Sequence, residues 1–239
     1  MLKVAGVLVV IFAFAAVGCS SDTTVLDSNK EAPGITVTGE GSVFGEPDVA
    51  VLTLGVEADA ASVADARAQA GESMDAMLKA LKDGGVADKD VQTTRFSVQP
   101  RYDYTKQQQT IIGFTVSNIA TVKIRDIDKT GDLIDAAVIA GGDRARVDSL
   151  QFTIDDPSVL ENQAREKAMA EAKSKADTLA KAGGVEIGKP RSISEGGGPA
   201  PITFAGDAFR DAAAEAPGTP IDIGQLEVQV TVTVVYGLD

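Results

Sequence analysis

The chain has 239 residues, a formal net charge of −13 and 44% hydrophobic residues, which is enough for a sizeable buried core. This acidity argues against nucleic acid or anionic lipid headgroups as partners, because like charges repel. Histidine is absent, which removes the most common general base, the usual zinc ligand and every histidine-containing triad. We therefore expect no catalytic residue, no metal site and no cofactor.

The N-terminal segment predicts a lipoprotein signal peptide. Residues 4–17 form an apolar run after a single lysine, shorter than the roughly 20 residues of a transmembrane helix. Cys19, the only cysteine, directly follows Ala16, Val17 and Gly18, and this resembles a bacterial lipobox, although leucine is usual at the position of Ala16. We expect residues 1–18 to be removed and acyl chains on Cys19 to anchor the protein. The alternatives are an incidental cysteine after an ordinary signal and an uncleaved anchor helix.

A tether and then one folded domain are predicted after Cys19. Residues 19–33 are polar and aperiodic and end in proline, as expected of a tether. From residue 34 to residue 239 we expect a single domain, which begins with a short strand in ITVTGEG. Residues 49–58 alternate between apolar and other positions, which predicts a second strand. Apolar residues from Val63 to Leu81 then recur every three or four positions, which predicts a helix that ends at a double glycine.

The remaining elements alternate between strands and helices. Strands are predicted over residues 93–102 and 113–125 as a hairpin, and over 147–154, with a helix at 129–140. The clearest helix has Asp156 as its candidate cap and Pro157 at its first position. Its stripe consists of Leu160, Ala164, Ala168, Ala172, Ala176 and Ala180, which permits a close approach to a sheet. The final strand, residues 226–236, alternates most cleanly and is expected to be paired on both sides.

Residues 194–220 are rich in glycine, proline and alanine and predict a long loop. Loops of this length in compact domains are either functional or disordered. Phe204 and Phe209 are its isolated aromatic residues and could bind a ligand or a protein partner. The alternative is that they only pin the loop to the core.

Three motifs resemble known sites incompletely. Gly39, Gly41 and Gly45 follow a strand, but their spacing and the strand that follows do not fit a dinucleotide fingerprint. Residues 126–132 begin like a calcium loop, yet alanine occupies the twelfth position where a glutamate is needed. The close acids at positions 46 and 48, or 155 and 156, are more typical of turns and caps than of a glycosidase pair.

These segments together resemble the SIMPL domain family (DUF541). The resemblance rests on ITVTGEGSVFGEPDVAVLTLGVE, GGVADKDVQTTRFSVQPRYDY, IIGFTVSNIATVKIRD, the long alanine-rich helix and TPIDIGQLEVQVTVTVVYGL, and spans residues 35–238. It implies an α+β fold of antiparallel sheets with helices packed on one face, built from βαββ-type units. It also implies an envelope location, ring- or channel-like oligomers, and a connection with oxidative or envelope stress. The family includes actinobacterial lipoproteins, which the lipid anchor favours for this chain, and supplies no catalytic residues to transfer.

The sequence favours a non-enzymatic envelope lipoprotein that acts as an assembly or scaffold protein. We expect a homo-oligomer attached to the membrane by its lipid, a protein partner that the sequence does not identify, and no nucleic acid. The alternatives are a binding module that uses residues 194–220 and, last, an enzyme that uses carboxylates.

Overall fold

The computed structural model describes residues 34–105, 109–196, 201–204, 219 and 221–239. The predicted signal peptide and tether lie outside these ranges. The elements in chain order are β1 (Gly34–Gly45), β2 (Val49–Ala60), α1 (Val63–Asp83), β3 (Val91–Asp103), β4 (Thr110–Ile124), α2 (Thr130–Gly141), β5 (Ala145–Thr153), α3 (Ser158–Gly183), β6 (Ile187–Gly196), β7 (Pro201–Phe204) and β8 (Leu226–Leu238).

Strands β2 to β5 form a four-stranded sheet, and helices α1 and α2 pack on it. We call this sheet and its two helices half B. Its strand order is β3-β4-β2-β5, and every neighbouring pair is antiparallel. The chain order β-α-β-β-α-β with both helices on one face is a ferredoxin-like arrangement. Alternate residues of β2 and β4 point into the core beneath the helices, as Leu52 and Leu54 of β2 and Val122 of β4 show.

The other strands form a second sheet. We call this sheet and helix α3 together half A. Strand β8 lies at its centre, with β1 on one side and both β6 and β7 on the other. The cleanly alternating strand is therefore paired on both sides, as predicted. Its even-numbered residues are buried against α3, whose buried positions are Ala164, Ala168, Ala172, Ala176 and Ala180.

Helix α3 lies directly on the backbone of β1. A Cβ atom on Gly39 would lie 2.1 Å from the carbonyl oxygen of Ala168, and one on Gly41 would lie 2.1 Å from that of Ala164. Real Cβ atoms do not approach this closely, so only glycine fits at these two strand positions. The alanine stripe and the two glycines thus act as matching small surfaces, with no space between helix and strand for a larger side chain.

The outer edge of β1 is bonded to side chains of α3. Lys167 donates to the carbonyl oxygen of Ser42 at 2.8 Å, and Lys175 donates to that of Thr38 at 2.9 Å. Between them, the Glu171 carboxylate accepts a hydrogen bond from the amide of Glu40, which holds the pKa of Glu171 below its usual value. These bonds occupy backbone groups that an edge strand otherwise offers to another chain.

The far side of α3 is bonded to β6. Arg165 donates to the two carboxylate oxygens of Glu195 through Nε at 2.9 Å and Nη2 at 3.1 Å. This bidentate pair raises the pKa of Arg165 and lowers that of Glu195. The helix is therefore bonded to both flanking strands of the sheet that it covers.

A charged cluster, which we call the junction, lies where the chain passes between the halves. The amide of Asp48, between β1 and β2, donates to the carbonyl oxygen of Thr153, and the amide of Asp155, between β5 and α3, donates to Asp48 Oδ1 at 2.7 Å. Arg125, just after β4, donates to Asp90 through Nε and Nη2 at 3.0 and 2.9 Å, and to Asp155 through Nη1 at 2.7 Å. These hydrogen bonds hold together the two segments in which the chain passes from one half to the other.

The predicted fold class is confirmed: antiparallel sheets carry their helices on one face. The loop prediction for residues 194–220 is wrong at its beginning, because residues 194–196 continue β6 and residues 201–204 form β7. Both segments pair with β8, so an available strand edge overrides a composition typical of loops. Helix α3 begins at Ser158, so Pro157 takes the cap position predicted for Asp156 instead of the first helical position. Asp156 still accepts a hydrogen bond from the Ser158 amide, through Oδ1 at 3.1 Å.

Replacing Gly41 by alanine should destabilise the protein by about 1–3 kcal/mol. The added Cβ would meet backbone atoms of α3, which no change of side-chain rotamer can move. Urea denaturation of the purified protein measures the change in the free energy of unfolding.

The matched control is Gly71→Ala in the middle of α1, where a Cβ would meet nothing within 4 Å. Alanine is favoured over glycine inside a helix, so this variant should be more stable by about 0.5–1 kcal/mol. Equal effects of the two substitutions would contradict the close approach of α3 to β1.

The junction should make stability fall in acid. The pKa of Asp90 is lowered by its bonds to Arg125, and that of Asp155 by its bonds to Lys123 and Arg125. Because these values are lower in the folded than in the unfolded chain, the stabilisation is complete above the ordinary value of 3.8 and is lost as pH falls through the lowered values. With no histidine in the chain, stability should change little between about pH 5 and 8.

The variant Arg125→Gln tests whether the ionised carboxylates of the junction stabilise the folded protein. The Asp90 side chain is only 6% exposed beside Arg125, so loss of this partner leaves a largely covered carboxylate unpaired and should lower the denaturation midpoint clearly at pH 7 and less at pH 3. Arg101→Gln is the control, since Arg101 and Asp59 form a solvent-exposed pair at 3.0 Å. An Arg125→Gln effect that is unchanged at pH 3 would contradict the assignment.

Candidate functional site

Of the three residues that the sequence singled out as sites, the structure describes only the backbone of Phe204. Cys19 and Phe209 lie outside the described residues. Phe204 is the last residue of β7, where its backbone lies opposite Leu226. The far end of the same segment is held by Thr219, whose hydroxyl donates to Asp135 Oδ1 of α2 at 2.7 Å. The proposed roles of Cys19, Phe204 and Phe209 stay predictions.

The incomplete motifs have structural explanations. Gly39 and Gly41 face α3, and their place in the sequence reflects packing. Asp126 forms an ion pair at 2.6 Å with Lys129 just before α2, which raises the pKa of that lysine. Within the described ranges, no three potential metal-ligating side chains of the His, Cys, Asp or Glu types are grouped together.

The sheet of half B has an open face, opposite α1 and α2, with a shallow polar hollow of about 210 Å³. One row of residues crosses all four strands at this hollow. Arg95 of β3 lies opposite Ile119 of β4, Ile119 lies opposite Gly55 of β2, and Gly55 lies opposite Arg146 of β5. The row therefore places an arginine on each outer strand and a glycine near the middle.

Both outer strands have a β-bulge beside this row. In β3 the register shifts between Thr93 and Arg95, so Thr94 has no partner residue in β4. In β5 the register shifts opposite residues 53 and 54 of β2, so Asp148 has no partner residue in β2. The Asp148 side chain lines the hollow. Bulges increase local twist and redirect side chains, and they are common beside functional sites.

Gly55 lets β2 and β4 lie close together beside the hollow. A Cβ at this position would lie 2.3 Å from the carbonyl oxygen of Asn118 and 3.1 Å from Cγ1 of Ile119. A side chain does not fit here without displacing β4. Ile119, which lies opposite Gly55, lines the hollow.

The two arginines of the hollow differ in whether they have a partner. Arg146 donates to Glu57 and lies 3.8 Å from Asp148. Arg95 lines the same hollow, yet it makes no hydrogen bond or ion pair with any residue in the described ranges. Ser97, Gln99, Thr115 and Ser117 complete the lining with hydroxyl and amide groups. The site therefore combines one satisfied ion pair, one unpaired cation and several neutral polar groups.

Sequence reasoning missed this hollow. The alternation of polar Arg95, Ser97 and Gln99 with apolar Phe96 and Val98 was the available signal, since it marks one polar face of β3. The order of the strands and the two bulges decide which residues of β2, β4 and β5 lie beside these β3 residues on the same face. A single sequence does not reveal either of them.

A second surface feature is an apolar ribbon formed by residues 100–103 of β3 and 110–113 of β4. The register of β2 against β4 ends at Ala60 and Phe114, so this part of the hairpin extends past the other strands. Tyr104, Ile111 and Ile112 on or beside the ribbon are each more than half exposed, and Tyr102 lies with its ring centroid 6.2 Å from that of Tyr104. The β3 edge continues the apolar surface with exposed Phe96 and Val98.

Comparison with protein families identifies this fold. The SIMPL model, described as "Protein of unknown function (DUF541)", matches residues 35–236. The chain belongs to the SIMPL family. The match covers all of α1, α2 and α3 and nearly all of both sheets, so the hollow and the ribbon both lie within the family domain.

Several relatives share most of this SIMPL domain. The 26 kDa periplasmic immunogenic protein of Brucella melitensis is 37% identical over 210 residues, which cover 84% of this chain and 83% of that protein. The uncharacterized protein YggE of Edwardsiella ictaluri is 30% identical over 164 residues, which cover 68% of each chain. Its counterpart in Escherichia coli K12 is 29% identical over 166 residues, which cover 70% and 67%. Among the described helices, none is both long and apolar enough to cross a bilayer.

Proposed function

We propose that the protein is an extracytoplasmic lipoprotein that acts without catalysis, as an assembly or interaction protein at a membrane surface. The apolar run of residues 4–17, followed by the single Cys19, supports the lipid anchor. The name of the Brucella relative, a periplasmic immunogenic protein, supports a place outside the cytoplasm. An actinobacterial origin and a role in envelope or oxidative stress are parts of the proposal that rest on the family resemblance alone.

The apolar ribbon is the observation that carries the assembly role. A two-stranded ribbon with no further strand beside it is only marginally stable in water. Exposed Ile111, Ile112 and Tyr104 add apolar surface that a partner would cover. Proteins usually protect such exposed strand edges, and on β1 the side chains of α3 do this. The contrast makes the ribbon and the β3 edge the favoured contact surface.

A second copy of the chain is the partner that fits this surface best. Apolar surfaces of identical chains are self-complementary when they meet about a twofold axis. The net charge of −13 opposes such a contact, so salt should strengthen the association by screening the repulsion. A partner bound mainly through charge would show the opposite dependence on salt.

Ile111→Asp should reduce self-association of the protein. Burying an unpaired carboxylate in an apolar contact is costly, whereas the exposed position tolerates it in a single copy. Sedimentation velocity at low and high salt should show an oligomer for the wild type that salt strengthens, and a shift towards monomer for the variant.

Ile139→Asp is the matched control, because Ile139 is an isoleucine on α2, outside the ribbon, that is 80% exposed. It should leave the sedimentation profile unchanged. A wild-type protein that stays monomeric at high concentration, or an oligomer that responds equally to both variants, would refute the proposed surface.

Cys19→Ser should release the protein from membranes without unfolding it. Without the thiol there is no atom to carry acyl chains, and the two or more chains expected on a lipoprotein are needed for a stable hold. Detergent-phase partitioning and mass spectrometry of the N-terminal peptide measure the change, with circular dichroism as the check on folding. An unmodified Cys19 in the mature wild-type protein would rule out the anchor.

A further inference from the structure

The hollow on the open face of half B has the construction of a small-molecule site. Its two sides are the bulged strands β3 and β5, and its lining is polar except for Ile119. The volume of about 210 Å³ is below the range of about 300–1,000 Å³ that is typical of sites for drug-sized ligands. A ligand of roughly one sugar ring is the size that the hollow can surround.

The charge of the hollow limits the charge of the ligand. Arg146 is already paired with Glu57, and Asp148 lies 3.8 Å from it, so these three groups sum to one negative charge. Arg95 adds the one cation of the hollow that has no partner within the described ranges. A single negative charge on the ligand can pair with Arg95, whereas a dianion would meet the two nearby carboxylates.

The geometry of a guanidinium favours a carboxylate as that single charge. Arginine presents a planar set of N–H donors that matches the two oxygens of a carboxylate. Ser97 and Ser117 offer hydroxyls that both donate and accept hydrogen bonds, and Gln99 adds an amide. The Thr115 hydroxyl already donates to Asp59, so it is left as an acceptor. This mixture suits a ligand that carries several hydroxyl groups.

We propose that this hollow binds a small hydroxylated monocarboxylate, of the chemical class of a sugar acid, with Arg95 pairing to the carboxylate. The hydroxyls of the ligand would bond to Ser97, Ser117, Gln99 and the Glu57–Arg146 pair. No ribbon residue lines this site, although β3, which forms one of its sides, also provides the edge proposed as the contact surface.

Isothermal titration of the purified full-length protein with glucuronate tests the proposal. Glucose, which lacks the carboxylate, acetate, which lacks the hydroxyls, and inorganic phosphate, which carries more charge, are the comparison ligands. Saturable one-to-one binding of glucuronate is expected, with each comparison ligand at least about tenfold weaker. Equal binding of glucose, tighter binding of phosphate, or no saturable binding of glucuronate would overturn the proposal.

Arg95→Gln should weaken glucuronate binding by about tenfold or more, and Gln99→Ala should weaken it by a smaller factor. Both residues are exposed, and circular dichroism verifies that the variants fold. Arg101→Gln removes the same charge from the same face of β3, outside the hollow, and should change the affinity by less than twofold. An equal loss in Arg95→Gln and Arg101→Gln would show a general charge effect and reject the site.

Discussion

The backbone contact between α3 and β1 determines which surfaces of this protein remain available. Two glycines on β1 and an alanine stripe on α3 bring helix and strand so close that Lys167, Glu171 and Lys175 reach past the strand to its outer edge. A larger residue at either glycine would move the helix away and withdraw those side chains. The same packing that builds the core of half A therefore also closes its edge.

Half B, in contrast, leaves part of its sheet uncovered. Its helices cover one face of the sheet, but its other face and its β3 edge are not covered by any described helix or strand. The junction around Arg125 fixes the two chain crossings beside this sheet, and the bulges at Thr94 and Asp148 shape its open face. A half whose β1 edge is closed by α3 is thus joined to a half that offers an apolar ribbon and a polar hollow. Both proposed activities lie on the second half for this reason.

Much of the fold could be predicted from the sequence, because its signals are local. The periods of 3.6 and 2 residues located all three helices and the longer strands, and the regular alternation of residues 226–236 even indicated a central strand. The β6 extension and β7 were missed because pairing with β8 is a long-range effect that glycine- and proline-rich composition conceals. The role of Gly39 and Gly41 was also not readable, since a glycine pair fits a ligand loop and a helix contact equally well. The hollow depends on four strands and two bulges, and no local pattern encodes their common row.

Hydrogen exchange at the Glu40 amide tests most directly whether α3 closes the edge of β1. This amide points away from β8 to the Glu171 carboxylate, so it should exchange slowly in the wild type and much faster in Glu171→Ala. Amides of β8, which bond to strands on both sides, supply the slow reference in the same spectra. Exchange of Glu40 in the wild type at the rate of a solvent-exposed amide would contradict the account.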